Sequence, residues 1–207
     1  MEFKQVTLPR DLLTAEMLNL PDGQITVLLG ENGSGKSTLL AELAQRVSAS
    51  SYLPQKNVMY DAMLVADLLA LGQSRATAGL AVDVIAALAL EPLLARDVQS
   101  LSGGQQQRVW LAFVLLQNAP LVLLDEPLAA LDLRYQKQVL ALLPKLKTTI
   151  LVVLHDLNQA AQVAEFVWLL REQQILAGPT NELLTADELS QTFSVTVTRS
   201  RDGYFIL

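Results

Sequence analysis

Gly30-Glu31-Asn32-Gly33-Ser34-Gly35-Lys36-Ser37 constrains this chain more than any other stretch. It follows the apolar run Ile25-Thr26-Val27-Leu28-Leu29 and precedes a segment with Leu39, Leu40 and Leu43 on one helical face. A strand, a glycine loop and a helix in that order aim backbone N–H groups and the positive end of a helix into one concavity, which suits phosphate. Gly33 and Gly35 allow the turns such a loop needs. Lys36 is placed to reach outer phosphates, the Ser37 hydroxyl to ligate a divalent cation, and Thr38 to support the helix start. The spacing arises by chance in about one chain in a hundred of this length.

Two further stretches narrow the reading. Leu121-Val122-Leu123-Leu124 ends in Asp125-Glu126, two carboxylates at the carboxyl end of a buried strand. Open α/β sheets bind ligands there. Asp125 suits a metal, directly or through water, and Glu126 suits a general base acting on water. Pro127 stops the strand ladder. Leu101-Ser102-Gly103-Gly104-Gln105 then opens a helical stretch. Ser102 and the N–H groups of Gly103 and Gly104 can contact an anion, with the helix dipole behind them. In isolation these would be a solvated Asp-Glu turn and a glycine turn before a helix; their order after the phosphate loop argues otherwise.

The bulk numbers set the frame. At 207 residues the chain can bury one substantial core. Its 51% hydrophobic content and mean hydropathy of +0.33 are high, yet no apolar stretch approaches the roughly 18 residues of a membrane span. A buried parallel sheet and a surface docked on something apolar account for the excess. The net charge of −6 and absence of a basic run argue against nucleic acid as a partner. With no cysteine, disulfides, zinc-thiolate sites and thiol catalysis are excluded. Met1-Glu2-Phe3-Lys4 carries no signal-peptide pattern, so a cytoplasmic chain is expected.

Strand and helix patterns alternate along most of the chain. Strands are expected at 3–8, 25–29, 51–53, 121–124 and 149–154, a hairpin at 166–170 and 174–177, and a last strand at 195–199. Helices are expected at 36–47, 63–71, 80–90 (ended by Pro92), 103–117, 133–146, 158–164, 181–184 and 186–193. The strand-free stretch 60–100 reads as a second, helical lobe, and Trp110 and Trp168 read as core. Asp132 suits the N-cap of the helix from Leu133.

The three motifs in this order resemble the nucleotide-binding subunit of ATP-binding-cassette (ABC) transporters, over the whole of 1–207. The resemblance implies an α/β P-loop NTPase (RecA-like) core with a mainly parallel sheet, an inserted α-helical subdomain and a reduced antiparallel β-subdomain. It divides the single domain into a catalytic core at about 1–59 and 106–207 and a helical subdomain at about 60–105. It implies ATP and Mg²⁺ as cofactors. Residues 30–38 (Gly30, Glu31, Asn32, Gly33, Ser34, Gly35, Lys36, Ser37 and Thr38) would bind ATP, with Ser37, Gln55 and Asp125 at the metal. Gln55, in Tyr52-Leu53-Pro54-Gln55, resembles the family's Q-loop glutamine, and His155, the chain's one histidine, its switch histidine. With Glu126 they would form the catalytic set. Leu101, Ser102, Gly103, Gly104 and Gln105 would act in trans, closing the partner's nucleotide in a head-to-tail homodimer. Asp132, in Ala129-Ala130-Leu131-Asp132, resembles the D-loop at the dimer seam.

Within the family, Asp125-Glu126-Pro127-Leu128-Ala129-Ala130-Leu131-Asp132-Leu133-Arg134-Tyr135-Gln136, His155-Asp156-Leu157-Asn158-Gln159-Ala160 and the tail Glu182-Leu183-Leu184-Thr185 and Leu189-Ser190-Gln191-Thr192-Phe193 are similar to the importer ATPases for iron-siderophore complexes, haem and cobalamin. That implies permease subunits as partners, a substrate-binding protein acting through them, and a peripheral place on the cytoplasmic side of the membrane. An exporter ATPase, a soluble non-transport ABC ATPase and a nucleotide-binding regulator are the alternatives. Two departures stand out. No aromatic residue lies between Phe3 and Tyr52, where many members stack the adenine, and the stretch from Ser37 to Gln55 is short, without the usual inserted strands.

Overall fold

The structure, a computed structural model, describes residues 1–8, 13–57, 62–73, 76–200 and 203–206. In chain order these form β1 (Glu2–Thr7), β2 (Thr14–Asn19), β3 (Ile25–Gly30), α1 (Lys36–Arg46), β4 (Ser50–Leu53), α2 (Val65–Gly72), α3 (Ala78–Ala87), α4 (Gly103–Leu116) and β5 (Leu121–Asp125). There follow α5 (Leu133–Leu142), β6 (Thr149–Val153), α6 (Leu157–Val163), β7 (Phe166–Arg171), β8 (Gln174–Pro179), α7 (Thr180–Leu183), α8 (Ala186–Phe193), β9 (Val197–Ser200) and β10 (Gly203–Ile206).

A six-stranded sheet in the order β4-β5-β6-β3-β7-β8 is the centre of the molecule, parallel except for β8. Strand side chains alternate between faces, and here both faces are apolar. Ile25, Val27, Val122, Leu124, Ile150, Val152, Val167 and Leu169 face one core, shared with α2 to α6. Leu28, Leu121, Leu123, Leu151, Val153, Trp168 and Leu170 face the other, with α1 and the β1–β2 ribbon. This double burial explains the high hydropathy. Trp168 is fully buried and its indole N–H donates to the Asn19 carbonyl at 3.2 Å. Trp110 is partly buried, edge-on to Phe113.

Several elements differ from expectation. The 3–8 strand is not a lone edge: it pairs antiparallel with β2, which the pattern Thr-Ala-Glu-Met-Leu-Asn did not announce. Only Leu18 of its described side chains is buried, so no alternation shows. The 80–90 helix starts and ends earlier, at Ala78 and Ala87. Ala89 (φ +47°) turns the chain there, and Pro92 sits in a following 3-10 turn. The 133–146 helix stops at Leu142 because Pro144 tightens the next turn into 3-10 geometry. The β7–β8 turn lacks glycine, yet Glu172 and Gln173 both hold left-handed φ, as a tight two-residue hairpin requires. β10 was not foreseen. The lobe boundary expected at residue 60 lies outside the described residues. Between α1 and β4 there is only a turn at 47–49, so the expected shortening is a direct helix-to-strand step.

Candidate active site

The carboxyl ends of four neighbouring strands meet at one edge. β3 ends in the Gly30 loop, β4 leads to Gln55, β5 ends at Asp125 and Glu126, and β6 leads to His155. They border a cleft of about 630 Å³ lined by Asn32, Gly33, Gly35, Lys36, Ser37, Thr38, Gln55, Glu126 and His155. No Phe, Tyr or Trp is among those lining residues. Gly30 and Glu31 border a separate cavity of about 250 Å³. Ser34 Oγ is buried without a partner.

The loop's backbone is left-handed at Gly33 (φ +79°) and Gly35 (φ +103°). Gly35 is the N-cap of α1 and offers no side-chain cap, so the first-turn N–H groups stay open toward the cleft. Lys36 Nζ donates to the carbonyls of Gly30 at 2.9 Å and Glu31 at 2.8 Å. Burial pushes its ammonium below the usual lysine range, against the pull of Glu126 and Asp125.

Asp125 is buried to 1% exposure. Burial holds its carboxyl above the usual aspartate range, and the Glu126 charge adds to this. The Ser37 hydroxyl, Lys36 and the Gln55 backbone act the other way. Asp125 Oδ1 has no hydrogen-bond partner. An orphaned carboxylate oxygen beside the Ser37 hydroxyl is a pair of hard oxygen donors, which fits Mg²⁺, and Gln55 lines the same cleft. Glu126 has φ +50°, and its Oε1 lies 2.6 Å from His155 Nε2. A residue that bulky in the left-handed region is held there by its surroundings.

The Leu101–Gln105 segment, the family signature expected to act in trans, lies elsewhere. None of Leu101 to Gln105 lines the cleft. Ser102, Gly104 and Gln105 share a groove of about 340 Å³ with Ala130, Leu131 and Asp132. Ser102 caps α4 in a capping box: its N–H donates to Gln105 Oε1 at 3.0 Å and its Oγ accepts from the Gln105 N–H at 3.4 Å. Such a box is worth about 1 kcal/mol. Leu101 is buried beneath it. Asp132 holds the N-cap position of α5, but its carboxylate makes no capping hydrogen bond, so that expectation fails.

Sequence reasoning overlooked Arg108 and Asn158. Arg108 is buried, donates to the carbonyls of Leu88 at 2.6 Å and Ala89 at 3.2 Å, and stacks on Tyr135 at 3.9 Å. An arginine facing the apolar side of α4 was the available signal. Asn158, three residues after His155, donates to the Tyr204 carbonyl at 3.2 Å and accepts from the Tyr204 N–H at 2.8 Å. Nothing local in the sequence marks that pairing.

The ABC transporter family profile matches residues 13–51 and 45–129 of this chain. The hemin import ATP-binding protein HmuV of Shewanella denitrificans is 36% identical, covering 89% of this chain and 88% of that protein. The chain belongs to the ABC transporter family. The two profile matches meet at 45–51, where this ABC ATPase is shortened. The iron(3+)-hydroxamate import ATP-binding protein FhuC of Bacillus subtilis is 33% identical, covering 89% of the chain and 84% of that protein. Among solved structures, an ABC transporter described as metal-chelate type, in an inward-facing conformation, matches with TM-score 0.76 and 29% identity, covering 94% of this chain and 88% of that one. The chain is thus an ABC ATPase that binds ATP, with the P-loop core expected of it.

Two expected results follow from the site. An aspartate whose pKa rises on folding stabilises most below its ordinary value of 3.8 and loses that stability as pH rises through the raised value. At neutral pH the nucleotide-free fold therefore carries a strained carboxylate. Asp125→Asn is expected to add about 1 kcal/mol, roughly 2–4 °C in thermal midpoint, at pH 7 while removing ATP turnover. Calorimetry from pH 4 upward checks the sign, because the gain should grow as pH rises above 3.8.

The paired signature glycines should separate. A Cβ on Gly104 would lie 2.8 Å from the Ala130 carbonyl, whereas one on Gly103 would meet nothing within 4 Å. Gly104→Ala should lower stability by about 1–3 kcal/mol. Gly103→Ala should melt like the parent and still lose turnover. Unchanged turnover by folded Gly103→Ala would show that nothing approaches that position during catalysis.

Proposed function

We propose that this ABC ATPase powers uptake of an iron-siderophore, haem or cobalamin-type cargo, through ATP-driven closure of a head-to-tail homodimer. The similarity to importer subunits across most of their length carries the import reading. Membership of the family implies a transporter complex with permease subunits. A substrate-binding protein would deliver cargo from the far side, and the chain would sit peripherally on the cytoplasmic face. Among the described residues no helix is long and apolar enough to cross a membrane. The helical subdomain at about 60–105 is the proposed contact with the permease, between core segments at about 1–59 and 106–207. It exposes Leu71 (65%) and Val82 (67%), apolar side chains suited to docking.

Each ATP would be gripped by residues 30–38 of one copy. The open N–H groups of α1 favour the anion, and Lys36 would leave the Gly30 and Glu31 carbonyls for the terminal phosphates. Asp125, Ser37 and Gln55 would hold Mg²⁺, which when bound offsets phosphate charge as a Lewis acid. Glu126 would take a proton from the attacking water, and His155 would contact the γ-phosphate and help orient that water. Their 2.6 Å contact places both at one point of the cleft. Two observations support composition from two copies. Ser102 and Gly103 are exposed, and the space above Gly103 is open. The partner's Leu101–Gln105 segment would cover the remaining phosphate face, with Asp132 along the seam.

Co-purification of the full chain with a polytopic membrane subunit, followed by uptake of radiolabelled iron chelates and haem into vesicles, tests the reading. ATP-dependent accumulation of one such cargo is expected. Co-purification with ribosomes, or efflux from the same vesicles, would overturn it.

A further inference from the structure

Beyond Glu126 the chain bends through Pro127 to Leu131 before entering α5. Three carbonyls of this arc are claimed by side-chain amides. Gln107 of α4 donates to Pro127 O at 3.2 Å, and Gln136 of α5 donates to Leu128 O at 3.2 Å and to Leu131 O at 2.9 Å. Gln136 Oε1 in turn accepts from Gln159 Nε2 of α6 at 2.9 Å. Carbonyls can only be met by the amide nitrogen, so Gln136 must turn its oxygen toward Gln159. The result is a directed chain, Gln159 to Gln136 to the arc. It links the element that begins just after His155 with the segment that begins just after Glu126. Behind the Glu126–His155 contact lies a cavity of about 190 Å³ bordered by both residues and by Gln136 and Gln159. Neither glutamine lines the larger cleft at the phosphate loop.

We propose that Gln136 and Gln159 are positioning residues, whose hydrogen-bonded amides hold Glu126 and His155 in register with each other. This rests on the reading of Glu126 and His155 as the hydrolytic pair. Glu126 already sits in a left-handed conformation that its own backbone does not favour, so it depends on how the following arc is held. Removing the Gln136 amide releases Leu131 O and leaves Leu128 O with only the Leu131 N–H, which lets the arc relax. Releasing Gln159 frees Gln136 to rotate and weakens its grip on the same carbonyls. The phosphate loop is untouched in either case.

The test is steady-state ATP hydrolysis by the full chain in complex with its permease. Gln159→Ala, which removes one hydrogen bond, should lower kcat about tenfold, and Gln136→Ala, which removes three, at least about tenfold, each with KM for ATP within about twofold. The double variant should be no slower than Gln136→Ala, because both substitutions break one chain. Gln136→Glu keeps the shape and the acceptor for Gln159 but turns an anionic oxygen toward two carbonyls, so it should be at least as slow as alanine. Gln162→Ala, exposed on α6 and outside the chain, should turn over normally. Glu126→Gln, assayed alongside, tests the underlying reading separately: full activity there would remove the hydrolytic role of Glu126. Wild-type kcat in Gln136→Ala and Gln159→Ala, beside an inactive Glu126→Gln, overturns the positioning role alone. So would additive losses in the double variant, or losses confined to KM.

Discussion

Glu126→Gln is expected to slow ATP hydrolysis by about 100- to 10,000-fold, the range for removing a general base. The substitution keeps the shape of the side chain at the end of β5 and a polar atom facing His155, so the fold and the left-handed turn should persist. It removes a negative charge beside the phosphate site, one that acts on both Lys36 and Asp125. ATP should bind at least as tightly as in the parent. With chemistry stalled and binding intact, the variant should accumulate as a nucleotide-bound dimer. Rapid-quench turnover and light scattering with ATP measure both halves. Turnover at the parent rate would take the base role away from this residue, and a monomer at saturating ATP would argue against nucleotide-driven pairing.

Lys36→Ala should have the second large effect, at an earlier step. Lys36 is the one lysine or arginine among the described residues that line the cleft, and it sits on α1 where the helix dipole also favours phosphate. Charge-assisted contacts with phosphate are about twice as strong as neutral hydrogen bonds. ATP affinity should fall at least about 100-fold, and turnover should disappear with it. The nucleotide-free fold should hardly suffer, because the ammonium is desolvated and its lowered pKa marks that strain. Thermal shift separates the two. The parent should gain about 2.7 kcal/mol at ATP concentrations 100 times Kd, whereas Lys36→Ala should gain almost nothing at the same concentration. A full ATP shift in the variant would place the main phosphate contacts on the backbone alone.

Different kinds of residue were legible to different degrees. The phosphate loop and the strand-end carboxylates could be read because their chemistry needs particular residue types at fixed backbone positions. Gly33 and Gly35 occupy left-handed φ, and Asp125 and Glu126 follow an unbroken apolar strand. Strands β3, β5 and β6, apolar on both faces, announced a sheet covered on two sides. The β1–β2 ribbon was half legible. β2 buries one described side chain and is built of helix-favouring residues, so tertiary pairing overrides local preference. β10 pairs antiparallel with β9 and is tied to the core by Asn158, distant in sequence. Gln136 and Gln159 stood in the stretches that carry the importer resemblance, but their pairing was invisible for a similar reason. A glutamine on a helix reads as solvent-facing until the fold sets another amide 2.9 Å away.

The unobstructed space above Gly103 has a genetic corollary. A chain bearing Gly103→Ala keeps its phosphate loop intact, and a chain bearing Lys36→Ala keeps its signature intact. Each would be inactive when expressed alone. In a mixed pair, one pocket would draw its two halves from the healthy portions of both mutants. Random assortment would leave about a quarter of all pockets whole, so two defective alleles brought together in one cell should partly restore growth on the transported nutrient.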